Sequence, residues 1–374
     1  MKALFLIFHG FEEFNGISKK IRYQVHALKE CGVDVQTCYL TDEKNHKYRM
    51  IDDYVLRDYG NGIKGKILKR IEYNSIIKYV LNNNITFIYI RYVHNANPFT
   101  IYLIKQLKNT GAKVVLEIPT YPYDSEYIGL PFCYQRILFI DKLFRRQLIK
   151  YIDKVVTFSE HDTIWGKPTI KISNGIDFSQ IKLKENKNDV SKEIHLIGVA
   201  TMHPWHGFDR AIEGLALYYA KAPKRNVYFH IVGYGISEAL DVYKRNVVKY
   251  HLENFVTFHG ALFGTELDEM FERSDIGIGS LARHRSHIDK IKTLKNREYA
   301  ARGIPFIYSE TDDDFDKMPY VLKIKADESP VNIEELITFY LSLKMTPSEI
   351  RNSILGHLSW KVQMQKVLNQ TFNP

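Results

Sequence analysis

Apolar, β-rich runs alternate with segments of helical period along the first half of the chain. KALFLIF leads into a helix expected over residues 17–31 and then VDVQTCYL; helices near 63–82, 98–109 and 133–151 precede TFIYIRY, AKVVLEI and DKVVTFS in turn. Strands separated by helices of this length predict a parallel sheet covered on both faces. A second round follows, with IHLIGVA, VYFHIVG, FVTFHG, DIGIGS and IPFIYS as short strands and Phe208, Ala211, Ile212 and Leu215 marking a helix between the first two. Between the rounds, the charged run KLKENKNDVSKE (182–193) nearly lacks large apolar residues and is the best linker candidate. The pattern predicts an α/β fold of two Rossmann-like, doubly wound parallel-sheet domains facing a cleft. In open parallel sheets ligands bind beyond the carboxyl ends of the strands, so the loops after strands are where a site is sought.

Composition narrows the function classes. A chain of 374 residues exceeds what one core usually supports, and 45% hydrophobic with 25% charged residues is globular. No apolar run approaches the roughly 20 residues that span a bilayer, and MKALFLIFHG reads as a buried strand with no cleavage site after it, so a cytoplasmic protein is expected. Cys31, Cys38 and Cys133 lack C-x-x-C spacing and are given a structural role. The net charge of +9 asks for an anionic partner. With no nucleic-acid signature among the dispersed Lys and Arg, nucleotides, phosphorylated lipids or an acidic membrane face come ahead of nucleic acid.

Several segments could carry chemistry. In the first loop Gly16 and Ser18 open a helix whose N–H groups and dipole suit a phosphate, although Asn15 and Ser18 would equally serve as ordinary caps. There is no G-x-G-x-x-G, which argues against a dinucleotide-dependent oxidoreductase. Asp312-x-Asp314 in TDDDFD (311–316) could hold a hard cation, but solvated loop charge is the preferred reading and no metal is expected. Residues 136–154 hold six basic and two acidic residues interleaved with Ile137, Phe139, Ile140, Leu143, Phe144 and Leu148. Such a helix fits either an anionic membrane surface or a crossover helix with a buried face.

An ordered series of motifs then becomes specific: NGISKKIR in the first loop, KISNGID (171–177), ATMHPWHGFDRAIEGL, IVGYG, VTFHGALFGTELDEMFERSDIGIGS, LKNREYAARGIPFI and, near the end, SWKVQMQKVL. The series resembles the retaining glycosyltransferases of family 4, of the GT-B fold and bacterial surface-polysaccharide type, closely in the second half and loosely in the first. The resemblance implies an N-terminal acceptor domain over 1–180, a C-terminal nucleotide-sugar donor domain over 181–355 and a helix over 356–374 returning to the first domain.

By that resemblance Glu298 holds the ribose hydroxyls, a task suited to a carboxylate, and Lys295 one turn earlier meets the diphosphate; an i,i+3 surface pair is the alternative. His206 and Gly207 stand where many relatives have Lys-Gly, and Arg210 could supply the charge a neutral histidine lacks. Asn174, Gly233 and Leu262 fall at other donor-binding positions, Leu262 in a loop that reads the base through its backbone. Gly16 adds its helix end. One departure is Lys290, where many relatives carry the first glutamate of E-x7-E; Arg283, His284 or Arg285 are alternatives for holding the sugar. After AKVVLEI, where relatives often supply a histidine, this chain offers Glu117, Tyr121, Tyr123, Asp124 and Glu126, of which Tyr121, Tyr123 and Glu126 are the chosen acceptor or sugar contacts.

The implied activity is transfer of a hexosyl group from a nucleotide-sugar donor to a lipid-linked or other saccharide acceptor with retention, in capsule, O-antigen or exopolysaccharide synthesis. The nucleotide sugar is substrate and no cofactor is expected. The partners implied are the donor, the acceptor and peripherally an anionic membrane at the inner face of the cell membrane. A nucleotide-sugar epimerase of the same fold and an inactive nucleotide-binding scaffold are the rivals.

Overall fold

A computed structural model describes residues 1–11, 16–43, 45–127, 130–185, 190–235 and 237–373. Asn15, considered above as a cap, and 186–189 of the charged run lie outside them. The chain forms two compact units, Met1–Ser173 with Trp360–Pro374, and Asn174–Ser359.

The first unit runs β1 (Lys2–Leu6), α1 (Gly16–Glu30), β2 (Asp34–Glu43), β3 (His46–Ile51), β4 (Tyr54–Asp58), α2 (Gly62–Ile71), α3 (Asn74–Asn82), β5 (Phe87–Arg91), α4 (Pro98–Asn109), β6 (Lys113–Ile118), α5 (Phe132–Leu148), β7 (Lys154–Thr157), β8 (Thr163–Ile164) and β9 (Lys167–Lys171). Among the described residues these strands make one sheet in the order β4-β3-β2-β1-β5-β6-β7-β9-β8. Its centre is parallel and apolar throughout, as in β5, where all of FIYIR is buried, because both faces are covered. Ile21 and Leu28 of α1 cover one face, and Ile76 of α3, Leu103 and Leu107 of α4 and Leu138 of α5 cover the other. Asn97 starts α4 by accepting from the N–H groups of Phe99 and Thr100 at 2.9 and 3.1 Å while Thr100 returns a bond, with Pro98 at the first helical position.

The second unit runs β10 (Glu193–Val199), α6 (Phe208–Tyr219), β11 (Asn226–Val232), α7 (Ser237–Lys249), β12 (Val256–Gly260), α8 (Gly264–Arg273), β13 (Ile276–Ile278), α9 (Leu294–Arg302), β14 (Phe306–Tyr308), β15 (Val321–Lys323), α10 (Ile333–Ser342) and α11 (Pro347–Leu358). All its pairs are parallel, in the order β12-β11-β10-β13-β14-β15. Phe208 and Leu215 of α6, Tyr243 of α7 and Leu336 of α10 share one core; Phe271 of α8, Tyr299 of α9 and Ile354 of α11 share another. The last helix, α12 (Trp360–Phe372), belongs to the first unit, where Trp360, Met364 and Val367 pack with α1.

The chain pattern missed three features. β2 continues into an antiparallel β3–β4 extension, and β8 also pairs antiparallel, so the first sheet is mixed. The helix expected over 63–82 is two, broken at Glu72 and Tyr73, where Glu72 takes an extended conformation. The division between units falls at Ser173/Asn174, ahead of the charged run, and Lys184 within that run is buried, its ammonium donating to the carbonyls of Glu272 and Ser274 at 2.6 and 2.7 Å.

Two half-buried histidines are expected to make stability depend on pH. His94 stacks on Tyr123 with ring centroids 3.7 Å apart, and His230 sits in a ladder, its Nε2 2.9 Å from Nδ1 of His195 and its Nδ1 3.0 Å from Nε2 of His259. A neutral imidazole offers one donor and one acceptor, so the ladder is satisfied while His230 is neutral. Burial pushes both His94 and His230 down to about 4. Unfolded histidine titrates near ~6.5, so below that pH the unfolded chain binds more protons than the folded one and stability falls as pH drops toward 4. The urea midpoint at pH 5 is therefore expected below that at pH 7.5, and His230→Gln should flatten this dependence; an unchanged slope in the variant would remove His230 as a cause.

Candidate functional site

The ends of β13 and β14 and the start of α9 meet in the second unit. Ser309, just past β14, donates its N–H to the Ser280 carbonyl beyond β13 at 2.9 Å, and a Cβ on Gly279 would lie 3.1 Å from Oδ1 of Asn296 in the first turn of α9. Around this point Ser280 Oγ, Thr293 Oγ1, Lys295 Nζ, Asn296 Oδ1 and Glu310 Oε2 are buried without a hydrogen-bond partner. Asn174 Oδ1 is a sixth such atom; its Nδ2 donates to the Lys292 carbonyl at 2.6 Å. Each buried polar atom left unbonded costs about 1–3 kcal/mol, so a cluster of them at the carboxyl ends of parallel strands has hydrogen-bonding capacity for a polar ligand.

Charge in the cluster is set by burial. Desolvation lowers the Lys295 ammonium, partly offset by Glu310, while the Arg283 charge lowers it further. Desolvation raises Glu310, and Lys295 and Arg283 act against it. An entering anion would restore the charge on Lys295, whose Nζ lies 5.9 Å from the Phe208 ring centre.

The cluster hangs on a buried guanidinium. Arg297 of α9 is fully buried, donates to the Asn174 carbonyl at 2.9 Å, binds both oxygens of the buried Asp312 at 2.7 and 3.1 Å, and pairs with Asp314. This corrects the reading of Asp312-x-Asp314 as solvated loop charge: the two carboxylates neutralise Arg297. The neighbouring loop is stitched on by Ile291 N–H to the Thr311 carbonyl at 3.0 Å and by Lys290 to Asp313 at 2.5 Å.

The His-Pro-Trp-His loop places His206 beside Lys295. Its Nδ1 accepts from the His203 N–H at 3.1 Å, which puts the proton of a neutral ring on Nε2. Burial, together with Lys295 and Arg283, holds the ring neutral. Gly207 has φ +64°, and a Cβ there would come within 2.8 Å of the Ala282 Cβ, so only glycine lets this loop meet the strand-end segment. The Leu281 N–H donates to the His206 carbonyl at 2.9 Å.

Arg210 is not the cation expected for a diphosphate. It is buried, donating through Nε to the Ser329 carbonyl at 2.7 Å and through Nη2 to the Lys325 carbonyl and Asp327 at 3.1 and 3.2 Å, with Nη1 on the Leu281 carbonyl. Its donors are committed to holding loops together. Arg285 is similarly bound, to Asp209 at 2.7 and 3.0 Å and to Glu328, which His284 also contacts.

Glu298 lies on α9 one turn beyond Lys295, and both bonds from Arg302, at 3.0 and 3.2 Å, fall on its Oε1. Gly233 has φ +131° and a Cβ there would meet the Ala200 carbonyl oxygen at 1.8 Å, so the ends of β10 and β11 close on each other only through glycine. Leu262 follows β12 and packs on the α8–α9 core.

In the first unit Gly16 is the exposed first residue of α1. Tyr121 is half-buried against His161, ring centroids 4.9 Å apart, and Glu126 is exposed. Tyr123 corrects the expectation: it is fully buried and its hydroxyl donates to the buried Asp141. Glu117 is also a core group, accepting from Gln24 and Tyr89 and paired with Arg91 and Lys20. Asp124 pairs with Lys142 and Arg145 at 2.9 and 2.8 Å.

Glu310, Asn296, Ser280 and Thr293 were not singled out in the sequence. A signal was present for Glu310, a carboxylate directly after the apolar strand IPFIYS.

No family model and no curated protein matches this chain. Solved structures do: HepE of Anabaena in complex with UDP (14% identity, 99% of this chain and 99% of that one, TM-score 0.65), a glycosyltransferase of Rickettsia africae ESF-5 (14%, 99% and 97%, 0.62) and the catalytic domain of starch synthase IV of Arabidopsis thaliana bound to ADP and acarbose (11%, 99% and 98%, 0.62). The likeness shows that this chain has the GT-B fold.

Replacing Arg297 by Met would leave Asp312 buried without its cation, which typically costs about 3–5 kcal/mol. Arg297→Met is therefore expected to lower stability to urea by that order; a loss under ~1 kcal/mol would show that the brace does not hold the second unit.

Proposed function

We propose that the protein is a nucleotide-sugar-dependent glycosyltransferase whose second unit binds the donor. The observation that carries this is the set of buried, unpartnered polar atoms around Lys295, in a fold shared with structures that hold UDP or ADP. Lys295 and the first N–H groups of α9 would face the diphosphate, where ammonium and helix dipole both favour negative charge. His206 would add a neutral Nε2–H donor, and Glu298 would accept the ribose hydroxyls through Oε2. Gly207 and Gly233 would keep backbone close to the ligand, and Leu262 and Asn174 would border it.

The finer reading follows the motif resemblance: hexosyl transfer with retention to a lipid-linked saccharide during surface-polysaccharide assembly. The departing diphosphate oxygen would take the acceptor hydroxyl proton while the site stabilises the leaving charge. Tyr121 and Glu126 remain the acceptor contacts, and Arg210 and Tyr123 drop out. Purified protein offered a panel of nucleotide sugars with bacterial lipid extract should transfer sugar to lipid. Conversion of the donor without acceptor would identify an epimerase, and nucleotide binding without turnover an inactive scaffold.

Two binding measurements test the donor site. Glu298→Ala and Lys295→Met should each weaken UDP binding by about tenfold or more, since each removes a charged partner worth ~1.5–3 kcal/mol; unchanged affinities by calorimetry would refute the assignment. Because burial depresses Lys295 and a diphosphate favours its charged form, UDP binding should take up protons and weaken as pH rises above neutral. The heat measured in buffers of different ionisation enthalpy reads this uptake, which should shrink in Lys295→Met.

A further inference from the structure

Helix α2 is turned inside out. It buries Gly65 among its described residues, while Ile63, Ile67 and Ile71, a stripe at i, i+4 and i+8, stand 76, 51 and 36% exposed. A helix of a globular domain normally puts such a stripe on the core. α5 does something similar, with Phe132, Phe139 and Leu143 exposed at 77, 64 and 60% although Leu138 and Leu148 anchor it to the sheet. α3, α4 and α5 cover one face of the first sheet and α2 packs on α4, so both exposed stripes belong to one side of the first unit.

The exposed charges on these helices have one sign. Lys64, Lys66, Arg70, Lys105, Arg136 and Arg146 are exposed on α2, α4 and α5, and the four helices α2 to α5 contain one carboxylate, Asp141. Asp141 is fully buried, where it accepts from the Tyr92 and Tyr123 hydroxyls and from the Ala96 N–H. Asp124 pairs with Lys142 and Arg145 of α5; large apolar side chains flanked by the remaining long cations match an interface where apolar groups enter the acyl boundary and ammonium groups reach anionic headgroups. A second copy of this chain would bring two cationic faces together, which disfavours a dimer here.

We infer that α2 and α5, with α4 between them, form a docking face for an anionic lipid bilayer. This goes beyond the sequence reading, which concerned residues 136–154 alone, and is independent of the donor site in the second unit. Full-length protein should sediment with vesicles of phosphatidylcholine and phosphatidylglycerol, weakly with phosphatidylcholine alone, and less as salt rises. Ile63→Ser with Ile67→Ser, and separately Phe139→Ser with Leu143→Ser, should each reduce vesicle binding about tenfold or more, since these exposed side chains contribute through burial in the bilayer. Circular dichroism and UDP affinity should stay as in the parent chain. Equal binding of parent and variants, or absence of vesicle binding by a parent that binds UDP, overturns the inference. A dimer by light scattering that the substitutions dissolve also overturns it, by making the face an interface between copies. Failure to bind UDP alone bears on the donor reading and leaves this face standing.

Discussion

A guanidinium with no exposure to water must be neutralised where it lies, and Arg297 satisfies that requirement with two aspartates and the carbonyl of Asn174. The consequence is geometric. α9, the loop after β14 and the first residue of the second unit are fixed to one another, and these segments carry Lys295, Glu310 and Asn174. Polar atoms can be held in a buried place without partners only if something stronger keeps them from rotating away. The brace supplies that, and Lys290 with Asp313 and the Ile291–Thr311 bond add the loop between β13 and α9 to the same frame.

The buried carboxylates of the two units are paired differently. In the first, Glu117 is surrounded by Lys20, Arg91, Tyr89 and Gln24, and Asp141 by two tyrosines and an amide, so the carboxylates are saturated. In the second, Lys295 and Glu310 are each pushed toward neutrality and each keeps an atom without a hydrogen-bond partner. Saturated networks specify a fold, whereas an unsaturated one at the ends of parallel strands has capacity left for a ligand.

Burial also explains how much could be read from the chain. The parallel strands and their crossover helices were legible because burial on both faces leaves continuous apolar runs, and α1, α4 and α5 lie within a residue or a few of the expected ranges. The antiparallel β3–β4 extension was not, because HKYRMI and YVLRD are polar strands of a partly exposed edge. For the site, Gly207 and Gly233 were picked out only through the motif resemblance; that a Cβ has no room at either is a finding of the structure. Arg210, Tyr123 and Asp312 were not legible, since their roles are decided by partners that sequence does not bring together: Ser329 and Lys325 for Arg210, Asp141 for Tyr123, and Arg297 for Asp312.

The histidine at position 206 follows from the same electrostatics. In this chain Lys295 and Arg283 already act on the ring and burial disfavours any charge on it. A further cation here would meet the charges of Lys295 and Arg283 and the same desolvation. A neutral imidazole, oriented by the His203 N–H at its Nδ1, offers a directed donor at Nε2 with no charge to desolvate. A histidine here thus adds no formal charge and keeps a hydrogen-bond donor, and under the proposed function Lys295 is the cation whose protonation a bound diphosphate would control.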